Sequence, residues 1–581
     1  MARDPNLNAL WCRVIVEELA RAGVHWAVLC PGSRNSPLLF ALGRQPGLAC
    51  LSHVDERSAG FIALGLAKAS RTPVAICITS GSAVANLLPA VVEAHAAGIP
   101  LIILAADRPF EVQDVGAPQT MRQRGIFGDF AGQEIDCPEP HAEDLLVRSL
   151  RARISRAVQA AQGPVLINVP LREPLPPLPD PRFTDQGLGA EALEGRGLQT
   201  PYTRHVGVGA AAAGQGVALL DSLDGLRPGL RGVIVVGAEA VSDEAAVIEL
   251  VAATGYPLIA DAASGLRRAG VPVITAADAL LGGALGETHP ELIIQIGALP
   301  LARPVFEWLG RQTCPWLAIA GSANRDSLSR AWAAISCPEP GFYAALGARL
   351  HPGAAMWRER WHGAQERAVT AQRRYLAQAP WSEVLAAHLV CSARDQRPFL
   401  HLASSMAVRH GNLHCQANRV SQVFANRGVN GIDGTLGSFI GENLALGGGG
   451  VLLIGDLAFL HDLPALAAAL DASSPQRERS RQRGAIVVLN NGGGGIFDFL
   501  SVSQVPGWQT YVRTPQPYDL SGIAQAFGCP FVRVTDGPSL SAALERAAGE
   551  DALWLIEAMV GDGCVEAHRG LLRAMAEAGS A

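Results

Sequence analysis

GDLAF (Gly455–Phe459) and VVLNNGGGGIF (Val487–Phe497) bound the stretch of sequence that decides the fold. Asp456 comes directly after one continuously apolar run, and Asn491 follows another. If these runs are neighbouring parallel strands, a carboxylate, an amide oxygen and a glycine carbonyl meet at one edge of a sheet. Such hard oxygen ligands suit Mg²⁺ bound to a diphosphate, and the glycines allow backbone N–H groups to approach phosphate oxygens. The alternative is an ordinary strand end followed by a glycine turn.

A second Gly-Asp pair and a polar insert must both be considered before this motif is assigned. A second Gly-Asp pair, at Gly561 and Asp562, precedes only a terminal helix and has no asparagine pair after it. We therefore assign the metal–diphosphate interpretation to Asp456. A polar insert, Ser473–Gly484, separates Asp456 from the asparagines and is interpreted as a surface loop.

The composition sets the size and class of the protein. The chain has 581 residues, of which 49% are hydrophobic and 17% charged. That length corresponds to about three or four domains. Its net charge of −6 argues against nucleic-acid binding. Lys68 is the single lysine, which excludes a P-loop, and we expect it to lie on the surface. The 11 cysteines contain no Cys-X-X-Cys motif, which argues against a structural zinc site.

The N-terminus predicts an amphipathic helix rather than a signal peptide. No apolar run reaches the roughly 18 residues that a membrane helix needs. We therefore expect a cytoplasmic protein that does not enter a membrane.

Short apolar runs alternate with helical segments along the chain. Because these runs are continuously apolar, they predict parallel strands buried on both faces. The fold class is therefore α/β, with three doubly wound, mostly parallel-sheet domains at 1–182, 200–355 and 375–581. The proline-rich stretch Pro170–Phe183 marks the first boundary, and the second lies within Pro352–Pro380. The predicted strands are His25–Cys30, Val74–Thr79, Leu101–Ala105, Val165–Val169, Val233–Val236, Leu258–Ala260, Leu292–Ile296, Leu317–Ala320, Phe399–Ala403, Val451–Ile454, Ala485–Leu489 and Leu553–Ala558.

Glu56 lies where His53–Ser70 passes from a short strand into a helix. Taken alone, a glutamate in a first helical turn most often compensates the helix dipole at the surface. An apolar, glycine-containing helix follows it, and the diphosphate motif occurs in the same chain. In this setting Glu56 does not look like an ordinary surface residue at a helix start.

The Gly-Asp-X, spacer, Asn-Asn pattern resembles thiamine diphosphate enzymes. The resemblance implies that Glu56 shares a proton with the cofactor's aminopyrimidine ring. It also implies that Gly455, Asp456 and Leu457 hold the diphosphate side, with Asp456, Asn491 and the Gly493 carbonyl binding Mg²⁺ or Mn²⁺. In that family the two ends of the cofactor bind different subunits. The resemblance therefore implies a homodimer or homotetramer with active sites at the interface. Ile432 is either the apolar residue that bends the cofactor or a plain core residue.

Six further motifs indicate which family of thiamine diphosphate enzymes the chain resembles. Together they are similar to the family of 2-succinyl-5-enolpyruvyl-6-hydroxy-3-cyclohexene-1-carboxylate (SEPHCHC) synthases over nearly the whole chain. That family uses thiamine diphosphate to decarboxylate 2-oxoglutarate and to add the resulting succinyl-semialdehyde carbanion equivalent to isochorismate, in menaquinone and phylloquinone biosynthesis. The motifs are PGSRNSPL (Pro31–Leu38), SGSAVANLLPAVVEA (Ser80–Ala94), AADRP (Ala105–Pro109), GAPQTMRQ (Gly116–Gln123), SSMAVR (Ser404–Arg409) and NRGVNGIDG (Asn426–Gly434).

The substrates carry several carboxylates, and arginine is the side chain best shaped to bind a carboxylate. For each arginine alone, a surface ion pair is the competing interpretation. In the middle segment Arg303 fits the first position of a basic pair, but Pro304 occupies the second. Ile496 and Phe497 are either pocket residues near the thiazolium or core residues. The resemblance implies substrate-binding roles for Ser33, Arg34, Arg108, Gln119, Arg303, Ser405, Arg409, Arg427, Ile496 and Phe497, with Ser405 and Ile496 also near the cofactor.

Two other functions remain open from the sequence. One is a different thiamine diphosphate-dependent 2-oxo acid decarboxylase or carboligase, such as a flavin-binding acetohydroxyacid synthase. The middle segment Val233–Ala240 lacks a Gly-X-Gly-X-X-Gly loop, which argues against a flavin. The other is a catalytically inactive relative that serves as a binding subunit. The presence of Glu56, Asp456 and Asn491 argues against that interpretation.

Overall fold

The computed structural model describes residues 4–197, 200–205, 215–238, 243–320, 325–336, 341–393, 397–416, 422–469 and 482–580. Most of the Ser473–Gly484 insert lies outside these residues. Within them the strands form three sheets, and all pairings between neighbouring strands are parallel.

The first sheet has the strand order β2-β1-β3-β4-β6-β5. Its strands are β1 (Trp26–Leu29), β2 (Ala49–Ser52), β3 (Val74–Ile78), β4 (Leu101–Asp107), β5 (Gln133–Asp136) and β6 (Val165–Pro170). The middle sheet has the order β11-β10-β9-β7-β8. Its strands are β7 (Gly232–Val236), β8 (Leu258–Ala260), β9 (Leu292–Ile296), β10 (Trp316–Ala320) and β11 (Ala333–Ser336).

The third sheet has the order β13-β12-β14-β15-β17-β16 and repeats the topology of the first. Its strands are β12 (Leu400–Leu402), β13 (Val423–Phe424), β14 (Gly450–Gly455), β15 (Gly484–Asn490), β16 (Phe531–Val534) and β17 (Leu553–Met559). The strands of each sheet fall inside one of the three predicted segments, whose boundaries remain predictions.

The described helices are α1 (Leu7–Arg21), α2 (Ser36–Arg44), α3 (Glu56–Ser70), α4 (Ser82–Ala85), α5 (Leu88–Ala97), α6 (Asp144–Gln159), α7 (Ala190–Glu194), α8 (Gln215–Ser222), α9 (Glu244–Thr254), α10 (Ala277–Leu281), α11 (Arg303–Gly310), α12 (Phe342–Leu350), α13 (Ala355–Leu376), α14 (Glu383–Ser392), α15 (Met406–His414), α16 (Thr435–Ala445), α17 (Asp456–His461), α18 (Leu466–Ala469), α19 (Leu520–Ala526), α20 (Gly537–Gly549) and α21 (Cys564–Ser580). None of these helices is long and apolar enough to span a membrane.

All twelve predicted strands are present, and the reason is visible in their burial. β3, β4 and β6 are buried at every position, as continuously apolar parallel strands should be. β2, β5, β11, β13 and β16 are absent from the twelve predicted strands, and each lies at the edge of its sheet. These five strands are partly exposed, so none of them forms a long, continuously buried apolar run.

The first and third sheets share one hydrophobic core, and α3 packs directly on α16 within it. A Cβ atom at Gly65 would overlap the backbone oxygen of Ser438, and one at Gly441 would overlap that of Ile62. Glycine at these positions lets the two helix backbones approach closely. The helix that begins with Glu56 is thereby fixed against the domain that carries Asp456.

The expected surface position of Lys68 is wrong. Only 13% of its side chain is exposed, and Nζ lies 3.8 Å from the buried carboxylate of Glu442. Nζ also donates hydrogen bonds to the Ala425 carbonyl (2.6 Å) and to Asn426 Oδ1 (2.9 Å). The lysine therefore joins α3 to the third domain, through partners more than 350 residues away that the local sequence does not reveal.

Candidate active site

Asp456 and Asn491 emerge side by side from the third sheet. β14 and β15 are adjacent and parallel, with Gly455 opposite Leu489. Each strand is therefore followed, at the same edge of the sheet, by one of the two side chains that the sequence singles out. This confirms the predicted placement of both strand ends.

The Asp456 carboxylate is buried, with 3% of the residue exposed. Oδ1 accepts a hydrogen bond from the Leu457 N–H (2.8 Å), and Oδ2 accepts one from the Gly493 N–H (2.7 Å). Burial raises the pKa of Asp456 to about 6, although these N–H groups act in the opposite direction. A carboxylate held in low dielectric and short of positive charge is a natural ligand for a cation.

The Asn491 side chain is held at one end only. Its Nδ2 donates to Glu383 Oε2 at 2.9 Å, whereas its Oδ1 is buried with no hydrogen-bond partner among the described residues. Its backbone carbonyl accepts a hydrogen bond from Arg513 Nη2 at 3.0 Å. A buried amide oxygen without a partner costs free energy, and a bound cation would satisfy it.

The glycine run forms the floor of the site. Gly493 has φ of +139°, and a Cβ atom there would approach the Arg513 carbonyl to 2.7 Å. The Gly493 carbonyl accepts a hydrogen bond from the Gly495 N–H at 2.8 Å, which leaves its second lone pair for a ligand. A Cβ atom at Gly495 would overlap the Asn491 amide. The carboxylate, the orphan amide oxygen and the carbonyl together fit Mg²⁺ and its diphosphate.

Ser405, Arg409 and Arg427 lie near the same sheet edge. Ser405 follows β12 with φ of +70°, a conformation rare for a residue with a side chain and often found at functional sites. Its carbonyl accepts a hydrogen bond from Arg409 Nη1 at 2.6 Å. Burial lowers the pKa of Arg409, and the Asp278 carboxylate opposes that shift.

The Arg427 guanidinium is partly buried and forms no hydrogen bond or ion pair with the residues that the structure describes. Burial lowers its pKa, with opposing attraction from Asp261 and further lowering by Arg409. Two neighbouring guanidinium groups of this kind could together bind an anion.

A second basic group lies at the carboxyl edge of the first sheet and contains Arg34 and Arg108, with Ser33 beside Arg34. Arg34 donates to the Leu171 carbonyl at 2.8 Å, and burial together with Arg108 lowers its pKa. Arg108 donates to the Pro118 carbonyl at 3.2 Å. The two guanidinium groups therefore influence one another, as in the pair near the third sheet.

Gln119 belongs to the same edge. It has φ of +57°, and its backbone and side chain both hydrogen-bond to Ser80. A Cβ atom at Gly81, the residue after Ser80, would lie only 3.2 Å from the backbone oxygen of Gln119. Like Ser405, Gln119 is a predicted site residue with a positive φ angle.

Glu56 begins α3, and the Asp55 side chain caps the helix by accepting from the Ser58 N–H at 3.1 Å. The Glu56 carboxylate is partly exposed, and Oε2 accepts a hydrogen bond from Asn86 Nδ2 at 3.3 Å. In the described part of the chain, no hydrogen bond or ion pair joins Glu56 to Asp456 or Asn491. The two sets of residues therefore stand as separate groups within one chain.

The remaining predicted residues divide between surface and core. Arg303 is exposed, forms an ion pair with Glu307 at 2.7 Å, and lines a cavity of about 610 Å³ together with Phe497. Ile432 and Ile496 are partly buried and pack against different hydrophobic cores. A half-buried side chain of this kind can contact the core on one side and a pocket on the other.

Sequence reasoning missed Glu383, which is 2% exposed and contacts Asn491 from the first turn of α14. Burial opposes its ionisation, but hydrogen bonds from His410 and Asn491 outweigh burial and lower the pKa of Glu383. In the sequence this glutamate has the pattern of a surface helix start, and its partner lies 108 positions away. The local sequence therefore contained no signal for it.

Comparison with known proteins matches one family model near each end of the chain. The N-terminal thiamine pyrophosphate-binding domain of thiamine pyrophosphate enzymes matches residues 12–126, and the C-terminal thiamine pyrophosphate-binding domain matches residues 407–558. A SEPHCHC synthase of Myxococcus xanthus is 38% identical over 597 aligned positions, covering 99% of this chain and 98% of the relative. SEPHCHC synthases of Roseiflexus castenholzii and Salinibacter ruber are each 35% identical, covering 95% and 94% of this chain and 96% and 93% of the relatives.

Proposed function

The chain belongs to the SEPHCHC synthase family, and we propose that it joins 2-oxoglutarate to isochorismate, giving SEPHCHC and carbon dioxide. This is a step of menaquinone or phylloquinone biosynthesis. The observation that carries the proposal is the buried Asp456 carboxylate at the end of one strand, beside the Asn491 amide oxygen after the adjacent strand, which no described residue hydrogen-bonds. An inactive binding subunit would have no need of such an arrangement.

Thiamine diphosphate is the cofactor of the matched domains. When bound, it supplies a nucleophilic carbon for decarboxylating the 2-oxo acid and for forming the new carbon–carbon bond. Asp456, Asn491 and the Gly493 carbonyl hold Mg²⁺, or Mn²⁺ in its place, against the diphosphate. The backbone at Gly455 and Leu457 completes this end of the site. Ile432 and Ile496 contribute apolar contact to the cofactor.

Glu56 holds a proton at the cofactor's aminopyrimidine nitrogen and exchanges it during the reaction. Its position at the start of a capped helix fixes the carboxyl group, because the Asp55 cap and the α3–α16 packing leave the first turn little freedom. A general acid or base contributes roughly a hundredfold to ten-thousandfold to a rate. Glu56 is therefore the residue to which we assign the catalytic proton transfer.

The arginines bind the substrate carboxylates. Arg427 and Arg409 supply one cationic pair, supported by Ser405, and Arg34 and Arg108 supply another, supported by Ser33 and Gln119. The Arg427 guanidinium is the strongest support, because it is half-buried, forms no ion pair with the described residues, and can therefore accept an anion from a ligand. Phe497 and Arg303 line a separate cavity of about 610 Å³.

The Glu56 and Asp456 groups meet across a subunit interface in a homodimer or homotetramer. This assignment rests on the family and on the absence of hydrogen bonds and ion pairs between the two groups within the described chain. The exposed apolar side chain of Val54, 75% accessible beside Glu56, is compatible with burial by a second subunit.

The test is product analysis with magnesium and thiamine diphosphate present, using 2-oxoglutarate with and without isochorismate. We expect carbon dioxide release and SEPHCHC formation that depend on isochorismate, and neither in Asp456→Ala. Release of free succinic semialdehyde with no adduct under any condition would instead identify a simple decarboxylase. Turnover of pyruvate in preference to 2-oxoglutarate would identify another carboligase.

A further inference from the structure

The orientation of the Asn491 amide matters for a metal site, because its two ends have nearly the same shape. Only hydrogen bonding decides whether oxygen or NH₂ faces a given direction. Mg²⁺ binds the oxygen and gains nothing from the NH₂ group. A site that uses this asparagine as a ligand therefore needs a device that fixes the amide one way round.

Glu383 has the chemistry of such a device. An ionised carboxylate only accepts hydrogen bonds, so it pairs with the Asn491 NH₂ group and never with Oδ1. The observed contact joins Asn491 Nδ2 to Glu383 Oε2 at 2.9 Å, and Oδ1 has no hydrogen-bond partner in the described part of the chain. The amide oxygen is thereby turned away from Glu383.

Glu383 is itself held firmly. Its other oxygen, Oε1, lies 3.1 Å from Nε2 of His410, which is fully buried in α15. The Cys564 thiol, at the start of α21, lies within 4.8 Å of the same carboxylate. Ser382 caps α14, so the helix that carries Glu383 begins at a fixed point. The Glu383 carboxylate therefore lies where α14, α15 and α21 come together, next to Asn491.

The space around the amide is also restricted. A Cβ atom at Gly495 would overlap Asn491 Nδ2, so glycine is needed to let the NH₂ group reach Glu383. Arg513 Nη2 donates a hydrogen bond to the backbone carbonyl of Asn491 and so holds the backbone of that residue. Neither contact would choose between the two orientations of the amide without the carboxylate.

We propose that Glu383, supported by His410, is a positioning residue that sets the orientation of the Asn491 amide and thereby the affinity of the site for magnesium. The inference rests on the proposed function, because it takes Asn491 as a metal ligand. Partners behind a metal ligand typically change metal affinity about tenfold to a hundredfold when they are replaced.

The chain offers a matched control one residue away. Asn490 Nδ2 donates to Glu557 Oε1 at 2.7 Å, which is the same carboxylate–asparagine pair in the same loop. Asn490 is not among the proposed ligands. Glu557→Gln should therefore leave magnesium affinity within about twofold of the wild-type value, whereas Glu383→Gln should weaken it by about tenfold to a hundredfold.

The experiment measures thiamine diphosphate binding to the full-length protein by calorimetry over a series of magnesium concentrations, with circular dichroism and melting of the cofactor-free protein as controls for folding. Glu383→Gln and Asn491→Asp should each weaken magnesium binding. The exchanged pair, Glu383→Gln with Asn491→Asp, should recover affinity to within about fivefold, because a carboxylate ligand has oxygen at both ends and the glutamine supplies the NH₂ group.

The outcomes separate this inference from the proposed function. If Asp456→Ala and Asn491→Asp leave magnesium-dependent binding intact, the metal site itself is wrong. If they weaken it while Glu383→Gln does not, or while the exchanged pair remains as weak as the single variants, only the positioning role is refuted. Elemental analysis provides one more test. If the wild type contains one equivalent of zinc and Cys564→Ser loses it, then Glu383, His410 and Cys564 form a metal site, and the positioning role of Glu383 is refuted.

Discussion

Replacing Asp456 with asparagine should stabilise the cofactor-free protein while removing its affinity for magnesium. We propose that this buried carboxylate binds a cation, and in the metal-free protein its burial is unfavourable. Burial raises the pKa of Asp456 from its usual 3.8 to about 6, so the folded state binds the proton more tightly than the unfolded state. The destabilisation by the ionised Asp456 side chain is absent at pH values below 3.8. It grows as the pH rises and is complete above about pH 6.

The size of the effect follows from proton linkage. For these two pKa values the ionised side chain destabilises the fold by about 3 kcal/mol at pH 7.5 and by about 1 kcal/mol at pH 4.5. Asparagine removes that cost but keeps only one side-chain oxygen for the two N–H groups of Leu457 and Gly493. One lost hydrogen bond costs about 1 kcal/mol. The net gain for Asp456→Asn is therefore about 2 kcal/mol at pH 7.5 and near zero at pH 4.5.

Native-state hydrogen exchange of metal-free protein measures this gain, because the amides of β14 and β15 report the opening of the third sheet. Asp462→Asn is the matched control. Asp462 is also fully buried in the third domain, and burial raises its pKa to about 7, but it accepts a hydrogen bond from the Gly437 N–H and is no proposed ligand. Both variants should be stabilised at pH 7.5, and only Asp456→Asn should lose magnesium-dependent cofactor binding. Lower stability of Asp456→Asn at pH 7.5, or an equal gain at pH 4.5, would refute the reasoning.

Three other variants probe the proton transfer, the anion site and the helix packing. Glu56→Gln should retain magnesium-dependent cofactor binding but slow exchange of the cofactor's thiazolium proton by roughly a hundredfold or more, measured by quenched-flow NMR; near-normal exchange would contradict the role. Arg427→Ala should raise the substrate KM by about tenfold to a hundredfold with cofactor affinity unchanged, whereas the exposed Arg573→Ala should alter neither. Gly65→Ala forces a methyl group into a backbone oxygen of α16 and should destabilise the protein by about 1–3 kcal/mol or more in thermal unfolding. Gly43→Ala, which adds a methyl group to α2 in open space, should instead stabilise it by up to about 1 kcal/mol, and equal effects of the two would argue against close helix packing.

The predicted strands were those buried on both faces, because burial forces every position to be apolar. β15 illustrates this, with its residues buried from Gly484 to Leu489. β13 has only two residues, Val423 and Phe424, both partly exposed, and no run of letters marks it. Its place in the sheet depends on pairing with β12 rather than on its own composition.

The placement of the proposed cation ligands was predictable for a related reason. Parallel strands end at a common edge, so the position of a polar residue directly after an apolar run follows from the order of residues alone. Asp456 and Asn491 satisfy that condition. Arg303 does not, because it opens a helix in the middle domain and its side chain is 83% exposed in the chain.

The sequence by itself determined the α/β class, the buried strands and the chemical types of side chain at their ends, because these depend on local periodicity and on the order of residues. The tertiary structure alone decided which distant groups support them. Glu383 reaches Asn491, and Lys68 reaches Glu442, across separations that leave no local pattern. The physical reason is that a buried charge is stabilised only by groups that the completed fold brings within hydrogen-bonding or ion-pairing distance.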